Sequence, residues 1–436
     1  MENEKNNYQL STLNSQLKKP QLRFPEFEGE WGENNLERIS TKNISYGIVQ
    51  TGKMIAGGIQ CVRVIDLTNG EIIKKDLITT SNKISNSYKK TILEKNELMI
   101  ALRGKIGLTQ VVKDELVGCN LTRGIARVAP NKKLINATFL SIFLNCSKTQ
   151  KVFDKRKNGS ALKEIPIGEL KKFPIKYPTL SEQTKIANFL TAVDKRINLL
   201  QKKKAELEQY KKGVMQKLFS QEIRFKPSKI EIEELKKNGK IKLMENGEWK
   251  IDNGCAVIFN SQLSTFIYED WEEKKLGEVC KKESSNISAN SLSENNGNYK
   301  IYGATGYLQN VDFYREEEPY ISIVKDGAGV GRTLLCEEKS SVLGTLDIIK
   351  PKNENNLEFL YSLINQIRFD KYITGSTIPH IYFKDYSKEK VNIPVPKEQQ
   401  KIANFLSSID KSINNLQLTI DNSQLFKKGL LQKMFV

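Results

Sequence analysis

Residues 182–219 read EQTKIANFLTAVDKRINLLQKKKAELEQYKKGVMQKLF, and residues 398–435 read EQQKIANFLSSIDKSINNLQLTIDNSQLFKKGLLQKMF. Glu182 matches Glu398, Asp194 matches Asp410, Gly213 matches Gly429 and Phe219 matches Phe435, the later residue always numbered 216 higher. That spacing is close to half of the 436 residues. A period this long marks a chain built as two copies of one plan, not a solenoid of short units.

Each copy reads as one long helix with an apolar seam. In the first, Ile186, Leu190, Val193, Ile197, Leu200, Leu207, Val214 and Leu218 recur at the three- and four-residue spacing of a coiled coil. In the second, Ile402, Leu406, Ile409, Ile413, Leu416, Ile420, Leu430 and Met434 do the same. Lys211 and Lys427 interrupt both seams at one register, while Lys204 and Ser423 interrupt one each. Pro178 and Pro394 disfavour helix before them. Thr179 and Glu182 have the spacing of a capping box, and Pro396 suits a first helical position. Gly213 and Gly429 inside the pattern cost about 1 kcal/mol each relative to Ala, which predicts a kink or a close helix contact. Such helices span roughly 55 to 60 Å at ~1.5 Å per residue.

A chain of this length holds two or more domains with real cores. Lys and Arg number 69 against 51 Asp and Glu, and the net charge of +18 calls for a polyanionic partner, nucleic acid or an anionic membrane surface. No apolar run approaches the ~20 residues of a spanning helix, ATFLSIFL at 137–144 being among the longest. The opening MENEKNN lacks the basic-then-apolar form of a signal peptide. Cys61, Cys119, Cys146, Cys255, Cys280 and Cys336 are scattered without a CxxC pair, as expected of reduced thiols in a cytoplasmic protein.

Along the chain, residues 1–20 form a polar tail in which LSTLNSQLKK has the makings of a short helix. After RFPEFEGEW (23–31), strands are expected at IQCVRVIDL (59–67), ELMIAL (97–102) and GIARVAP (124–130), with a turn at Asn69-Gly70. Arg103-Gly104-Lys105-Ile106-Gly107 is a tight, positively charged glycine turn, and 137–155 reads as a helix. The second half repeats the outline. Trp271 and Leu276 keep the spacing of Trp31 and Leu36, EPYISIVKDGAGVG (318–331) repeats strand then glycine turn, and 356–373 reads as a helix. Gly159-Ser160 and Gly375-Ser376 fall on the 216 spacing again. Between these landmarks the halves share little sequence: the scaffold is copied and the faces differ. About 39 extra residues near 226–265, with their charges and Asn-Gly turns, suggest a small surface helix and hairpin.

Catalytic patterns are poorly represented. There is no GxxxxGK[ST] phosphate loop, and GAGVG (327–331) lacks the third glycine of a dinucleotide loop, which favours a plain turn. His380 is the chain's single histidine and lies in a polar loop, a poor basis for a triad or a zinc site. Asp326, Glu337 and Lys339 loosely mimic a nuclease constellation, in a chain where Glu-x-Lys arises readily by chance. A metal-dependent nuclease and a non-specific architectural DNA-binding protein are therefore the alternative readings.

The combination EQxKIANFL…D…QKLF, following GSxxxxI and a proline, with F-x-G-x-W at the start, resembles the specificity (S) subunit of Type I restriction–modification systems. The resemblance covers nearly the whole chain except 226–265. It implies a mixed α/β (α+β) fold with two target-recognition domains separated by two long antiparallel coiled-coil helices in a pseudo-two-fold repeat. The implied layout is a tail (1–20), a first recognition domain (21–177), a first spacer helix (178–222), a linker or insertion (223–265), a second recognition domain (266–393) and a second spacer helix (394–436). The resemblance further implies that each domain reads one half of a split double-stranded DNA site. The helices then dock two methyltransferase subunits, and restriction and translocase subunits join them. No cofactor belongs to this chain, S-adenosylmethionine, ATP and Mg being expected on the partners.

For such a binder, phosphate neutralisation supplies affinity and side chains at base edges supply sequence choice. Candidate DNA contacts are Arg63, Arg103, Lys105 and Arg123 in the first module, and Lys325, Arg332, Thr377 and His380 in the second. Ile186, Leu190, Val193, Ile197, Leu200, Leu207, Ile402, Leu406, Ile409, Ile413, Leu416 and Ile420 are the candidates for helix pairing and partner docking.

Overall fold

A computed structural model describes residues 19–68, 70–157, 163–226, 228–238, 241–243, 249–251, 256–257, 268–292 and 297–436. The N-terminal stretch through Lys18, Asn69, the Gly159-Ser160 turn and Cys255 lie outside the described residues. The chain forms two mixed α/β modules and two long helices, Leu180–Phe219 and Pro396–Met434. Two compact units result: residues 1–201 with 418–436, and residues 202–417. Each unit thus holds one module, half of the helix that follows it and half of the other long helix.

In the first unit, a four-stranded antiparallel sheet runs Ser45–Tyr46, Ile125–Val128, Leu98–Ala101, Thr109–Val111. Beside it lies a three-stranded sheet ordered Ile78–Thr80, Ile59–Val62, Asn120–Leu121, its last pair parallel. The second unit repeats both. Its sheets run Cys280–Ser284, Leu346–Pro351, Tyr320–Val324, Thr333–Cys336, and Gly306–Val311, Tyr299–Gly303, Ser341–Val342. In each unit a further antiparallel pair closes the base, Gly32–Asn35 with Pro174–Tyr177 and Glu272–Lys275 with Lys390–Ile393.

Leu98–Ala101 and Tyr320–Val324 are buried along their whole length, and apolar apart from Tyr320 and Ser322, because both faces are covered. Leu98 and Ile100 enter a core with Trp31 and Phe139, whereas Met99 and Ala101 enter a second core with Val62 and Leu67. In the other unit, Ile321 and Ile323 pack with Phe359, and Tyr320 and Val324 pack on the opposite side with Val342 and Leu346.

Within each unit the helix halves run antiparallel. Ile186, Ala187 and Leu190 share a core with Leu430, Met434 and Phe435, while Ile402, Ala403 and Leu406 share one with Met215 and Leu218. Ile197, Ile409 and Ile420 are also buried; Val193, Leu200, Leu207, Ile413 and Leu416 are half-buried. Each module therefore rests on the start of its own helix and the end of the other. Phe435 reaches Trp31 and Phe139 (ring centroids 6.2 and 5.7 Å), and Phe219 reaches Trp271 and Phe359 (6.2 and 5.7 Å).

The repeated Glu-Gln pair fastens each helix start. Glu182 accepts from Arg23 Nε and Nη2 (2.8 and 2.7 Å), and Glu398 accepts from Arg224 Nε and Nη2 (3.3 and 2.8 Å). Gln183 Oε1 accepts from Asn136 N (2.8 Å) and Gln399 Oε1 from Asn356 N (2.9 Å). Asn136 and Asn356 in turn cap the module helices that begin at Ala137 and Leu357.

Several local expectations change. Only half of the capping box forms: Glu182 N donates to Thr179 Oγ1 (3.4 Å), but the Glu182 carboxylate is taken by Arg23. Strand 59–67 stops at Val62, because Asp66 accepts from Arg63 N (2.7 Å) and starts the helix Val64–Thr68. The 137–155 helix is two helices broken at Cys146, whose extended backbone (φ −69°, ψ 152°) precedes Ser147. The 356–373 helix ends at Ile364, leaving a short 3-10 turn at Phe369–Tyr372. A Cβ added to Gly213 or Gly429 meets no atom within 4 Å, so a close helix contact does not explain either glycine. The 226–265 region does contain a helix, Lys229–Lys237, and a hairpin of Ile241–Leu243 with Trp249–Ile251, to which Ala256–Val257 adds a third strand.

Candidate nucleic-acid interface

In the first unit, four segments distant in sequence meet where the central strand ends. Leu102 N donates to Gly124 O (2.8 Å), Thr122 N to Val62 O (3.0 Å) and Arg123 N to Ile48 O (2.8 Å). A Cβ on Gly104 would lie 3.4 Å from Val64 Cγ1, and one on Gly124 only 2.6 Å from Val64 Cγ2. Arg123 makes one of these contacts and Arg63 and Arg103 are each one residue from them, so the fold gathers three of the predicted cations on one rim. Arg63 is held by Asp66 through Nε and Nη2 (3.1 and 2.8 Å), and Arg103 Nε donates to Glu164 Oε2 (2.8 Å). Lys105 and Arg123 are exposed.

The second unit builds its rim from the turn after Val324 and the loop 374–382. Gly327, Gly329 and Gly331 all take left-handed φ (84°, 92° and 84°), confirming GAGVG as a turn. Thr374 and His380 exchange two backbone hydrogen bonds of 2.8 Å, closing residues 375–379 into a loop that exposes Thr377. Gly327 N donates to Pro379 O (2.9 Å) and Ile381 N to Lys325 O (3.0 Å), which fix this loop to the turn. His380 Nδ1 lies 3.8 Å from Asp326 Oδ1, and Arg332 Nη1 donates to Ala304 O (2.8 Å). Lys325 differs from its neighbours. Its Nζ turns toward the buried Asp347 carboxylate (3.4 Å), which Lys282 also approaches (3.7 Å).

Exposed apolar and aromatic side chains accompany the second rim: Ile378 and Tyr382 in the loop 374–382, and Tyr307 on the hairpin whose Ala304 O accepts from Arg332. Single exposed residues leave no periodic trace, so sequence patterning does not find them. Apolar side chains on a cationic rim suit thymine methyl groups, as cations suit phosphates and guanine edges.

The nuclease constellation does not assemble. Tyr320 pairs with Cys336 and Ile323 with Thr333, so Glu337 and Lys339 lie beyond one end of this strand pair and Asp326 beyond the other. Glu337 is engaged by Lys300 (2.6 Å) and Lys339 approaches Glu317 (3.9 Å). Among the described residues no group of three or more His, Cys, Asp or Glu side chains is arranged to hold a metal ion. Burial pushes the Cys61 and Cys336 thiols up to about 11 and the Cys280 thiol to about 12, which leaves them protonated at neutral pH. No helix among the described residues is long and apolar enough to cross a membrane.

Residues 54–209 and 268–422 each match the Type I restriction modification DNA specificity domain. The chain belongs to this family. Each match begins in a module and ends in the long helix that follows it. The chain is 28 % identical over 178 residues to the Type I restriction enzyme EcoBI specificity subunit of Escherichia coli, covering 39 % of this chain and 37 % of that protein. It is 29 % identical over 180 residues to the MjaVIII specificity subunit of Methanocaldococcus jannaschii, covering 38 % and 42 %. In both matches the chain spans less than half the relative's length. The MjaIX specificity subunit of M. jannaschii is 22 % identical over 445 residues, covering 94 % of this chain and 96 % of that protein. Among solved structures, the Type I restriction–modification S subunit from M. genitalium has the same fold, with a TM-score of 0.60 at 17 % identity over 96 % of this chain and 99 % of that one.

Proposed function

We propose that this chain is the DNA-recognising subunit of a Type I restriction–modification complex, each module reading one half of a split, asymmetric duplex site. The observation that carries this reading is the pair of rims: one backbone scaffold, built twice, presents different polar side chains at the same strand end. A net charge of +18 supplies the phosphate attraction. Recognition rests on Arg63, Arg103, Lys105 and Arg123 in one module and on Arg332, Thr377 and His380 in the other, with Lys325 placed behind the rim. The chain itself performs no bond-making step. It directs adenine methylation or restriction by partner subunits that carry S-adenosylmethionine, ATP and Mg.

Two methyltransferase subunits dock on the long helices, and restriction and translocase subunits join that assembly. Large apolar side chains exposed on the helices, Leu199, Tyr210, Leu418, Leu425 and Phe426, support a covered surface there. The proposed setting is the cytoplasm, where the DNA and the methyl donor are. The test is purified chain with duplex DNA and Mg²⁺, with and without the partner methyltransferase and S-adenosylmethionine. Neither cleavage nor methylation is expected from the chain alone, and sequence-dependent adenine methylation is expected once the partner is added. Cleavage by the chain alone, abolished by Asp326→Ala, would overturn the reading.

A further inference from the structure

The two modules superpose by their backbone hydrogen bonds at the end of the central strand, although their numbering there no longer follows the 216 spacing. Ala101 O accepts from Gly107 N, and Val324 O accepts from Gly331 N, both at 2.8 Å. Leu102 N and O bond Gly124 O (2.8 Å) and Ile165 N (3.1 Å); Lys325 N and O bond Thr345 O (3.0 Å) and Ile381 N (3.0 Å). Gly107 and Gly331 both take left-handed φ (78° and 84°), with Phe153 and Phe369 packed 2.5 and 2.7 Å from where a Cβ would stand. Leu102 is therefore equivalent to Lys325, and the next residue, Arg103, is equivalent to Asp326. Each makes an isolated antiparallel bridge to the loop opposite, Arg103 to Glu164 and Asp326 to His380.

At one fixed place the two modules thus carry opposite polarity. The first has a guanidinium on the strand end and a carboxylate on the loop. The second has a carboxylate on the strand end and an imidazole on the loop. We propose that Arg103 and Asp326 are equivalent base-reading residues of opposite hydrogen-bond polarity, Arg103 selecting guanine and Asp326 selecting a base with an exocyclic amino group, cytosine N4 or adenine N6. This inference rests on the DNA-specificity reading above.

The geometry suits both roles. Glu164 engages Arg103 through Nε alone, which orients the guanidinium and leaves its two-nitrogen edge for the N7 and O6 acceptors of guanine. Both partners are two-fifths exposed, so their mutual bond contributes little stability and does not hold the arginine back from DNA. Asp326 is equally exposed and lies 3.8 Å from His380 Nδ1, beyond hydrogen-bond length. A carboxylate on a rim that attracts phosphates is repelled by the same partner unless it meets hydrogen-bond donors. In the major groove the donors are the amino groups of cytosine and adenine.

The test is a coupling measurement with the full chain assembled with its methyltransferase partner. Affinities are measured for the methylated site and for duplexes each changed at one base pair, using wild type, Arg103→Ala, Arg103→Lys and Asp326→Asn. In the wild type, changing the read base pair is expected to weaken binding roughly 5- to 150-fold. With Arg103→Ala that penalty disappears at one guanine of one half-site and persists at every other position. Arg103→Lys keeps the charge, so binding remains measurable while the guanine penalty shrinks. With Asp326→Asn the penalty shrinks at one cytosine or adenine of the other half-site only. Penalties unchanged at every position, or a uniform loss of affinity with Asp326→Asn, would overturn the inference while leaving the specificity reading standing. A wild-type complex without any sequence preference would sink both.

Discussion

Lys211 donates from Nζ to both carboxylate oxygens of Asp410 (2.6 and 2.7 Å), and the residues 216 positions away, Lys427 and Asp194, make the reciprocal pair. The two lysines that interrupt the apolar seams are therefore partnered across the helix pair. Both pairs are partly exposed, so each contributes at most about 1 kcal/mol, and their larger effect is on register. Lys211→Ala is expected to lower stability only slightly. Lys211→Asp should cost more by placing two carboxylates together, and adding Asp410→Lys should recover most of the loss. Thermal melting of Lys211→Asp, of Asp410→Lys and of the double variant measures this coupling. An additive double variant would show that the pair does not set the register.

Phe435 belongs to the core of the first module although it is the penultimate residue. It is 1 % exposed and sits among Trp31, Phe139 and Phe143. Phe435→Ala should cost about 3 kcal/mol or more, as for other large-to-small aromatic substitutions in cores. Denaturant unfolding gives the magnitude. Hydrogen exchange should place the loss in residues 137–145 and leave 357–364 in the other unit protected. Equal loss in both would contradict the assignment of each helix end to a single unit.

The repeat, the seam and the central strands were legible because each rests on a local period or a sustained apolar run. The 216 spacing alone located Glu182, Gln183 and their counterparts, whose role as fasteners to Arg23, Arg224, Asn136 and Asn356 required the fold. Boundaries failed where one side chain decided them, as Asp66 does in turning strand into helix after Val62. The rim was legible as a set of cations but not as a geometry. Lys325 looks like the counterpart of Arg103 by charge, whereas the backbone pairs Arg103 with Asp326 and turns Lys325 toward Asp347. The number of residues separating equivalent positions changes between modules, and no periodicity carries that information.

Glu231 fastens the inserted helix to the second long helix by accepting from Lys401 Nζ (2.7 Å), Tyr268 Oη (2.9 Å) and Ser228 N (2.6 Å). Burial alone would push its carboxyl up, but these hydrogen bonds outweigh it and hold the pKa at about 2. A depressed carboxylate stabilises the folded state above its ordinary range, and that contribution is lost as pH falls toward about 2. Hydrogen exchange of 229–237 should stay protected at pH 4 and lose protection below it, whereas Glu231→Gln should be less protected at neutral pH and flatter with pH. Protection already lost by pH 5 in the wild type would contradict the assignment.

Gly213 and Gly429 stand inside continuous helix with open space where a Cβ would be. Gly429→Ala and Gly213→Ala should each stabilise the isolated chain by about 1 kcal/mol. Chemical denaturation checks this. A destabilised variant would point to helix geometry that needs glycine there.

Whether each module reads one half-site is tested by genome-wide single-molecule mapping of methylated adenine in cells carrying this chain and the methyltransferase subunit proposed as its partner, alongside the Arg103→Ala/Lys105→Ala variant. The expected result is a motif of two short specified halves separated by a fixed number of unspecified base pairs. In the variant, one half should relax while the other keeps its sequence. An uninterrupted motif, or a variant that alters both halves together, would contradict the assignment of one module to each half-site.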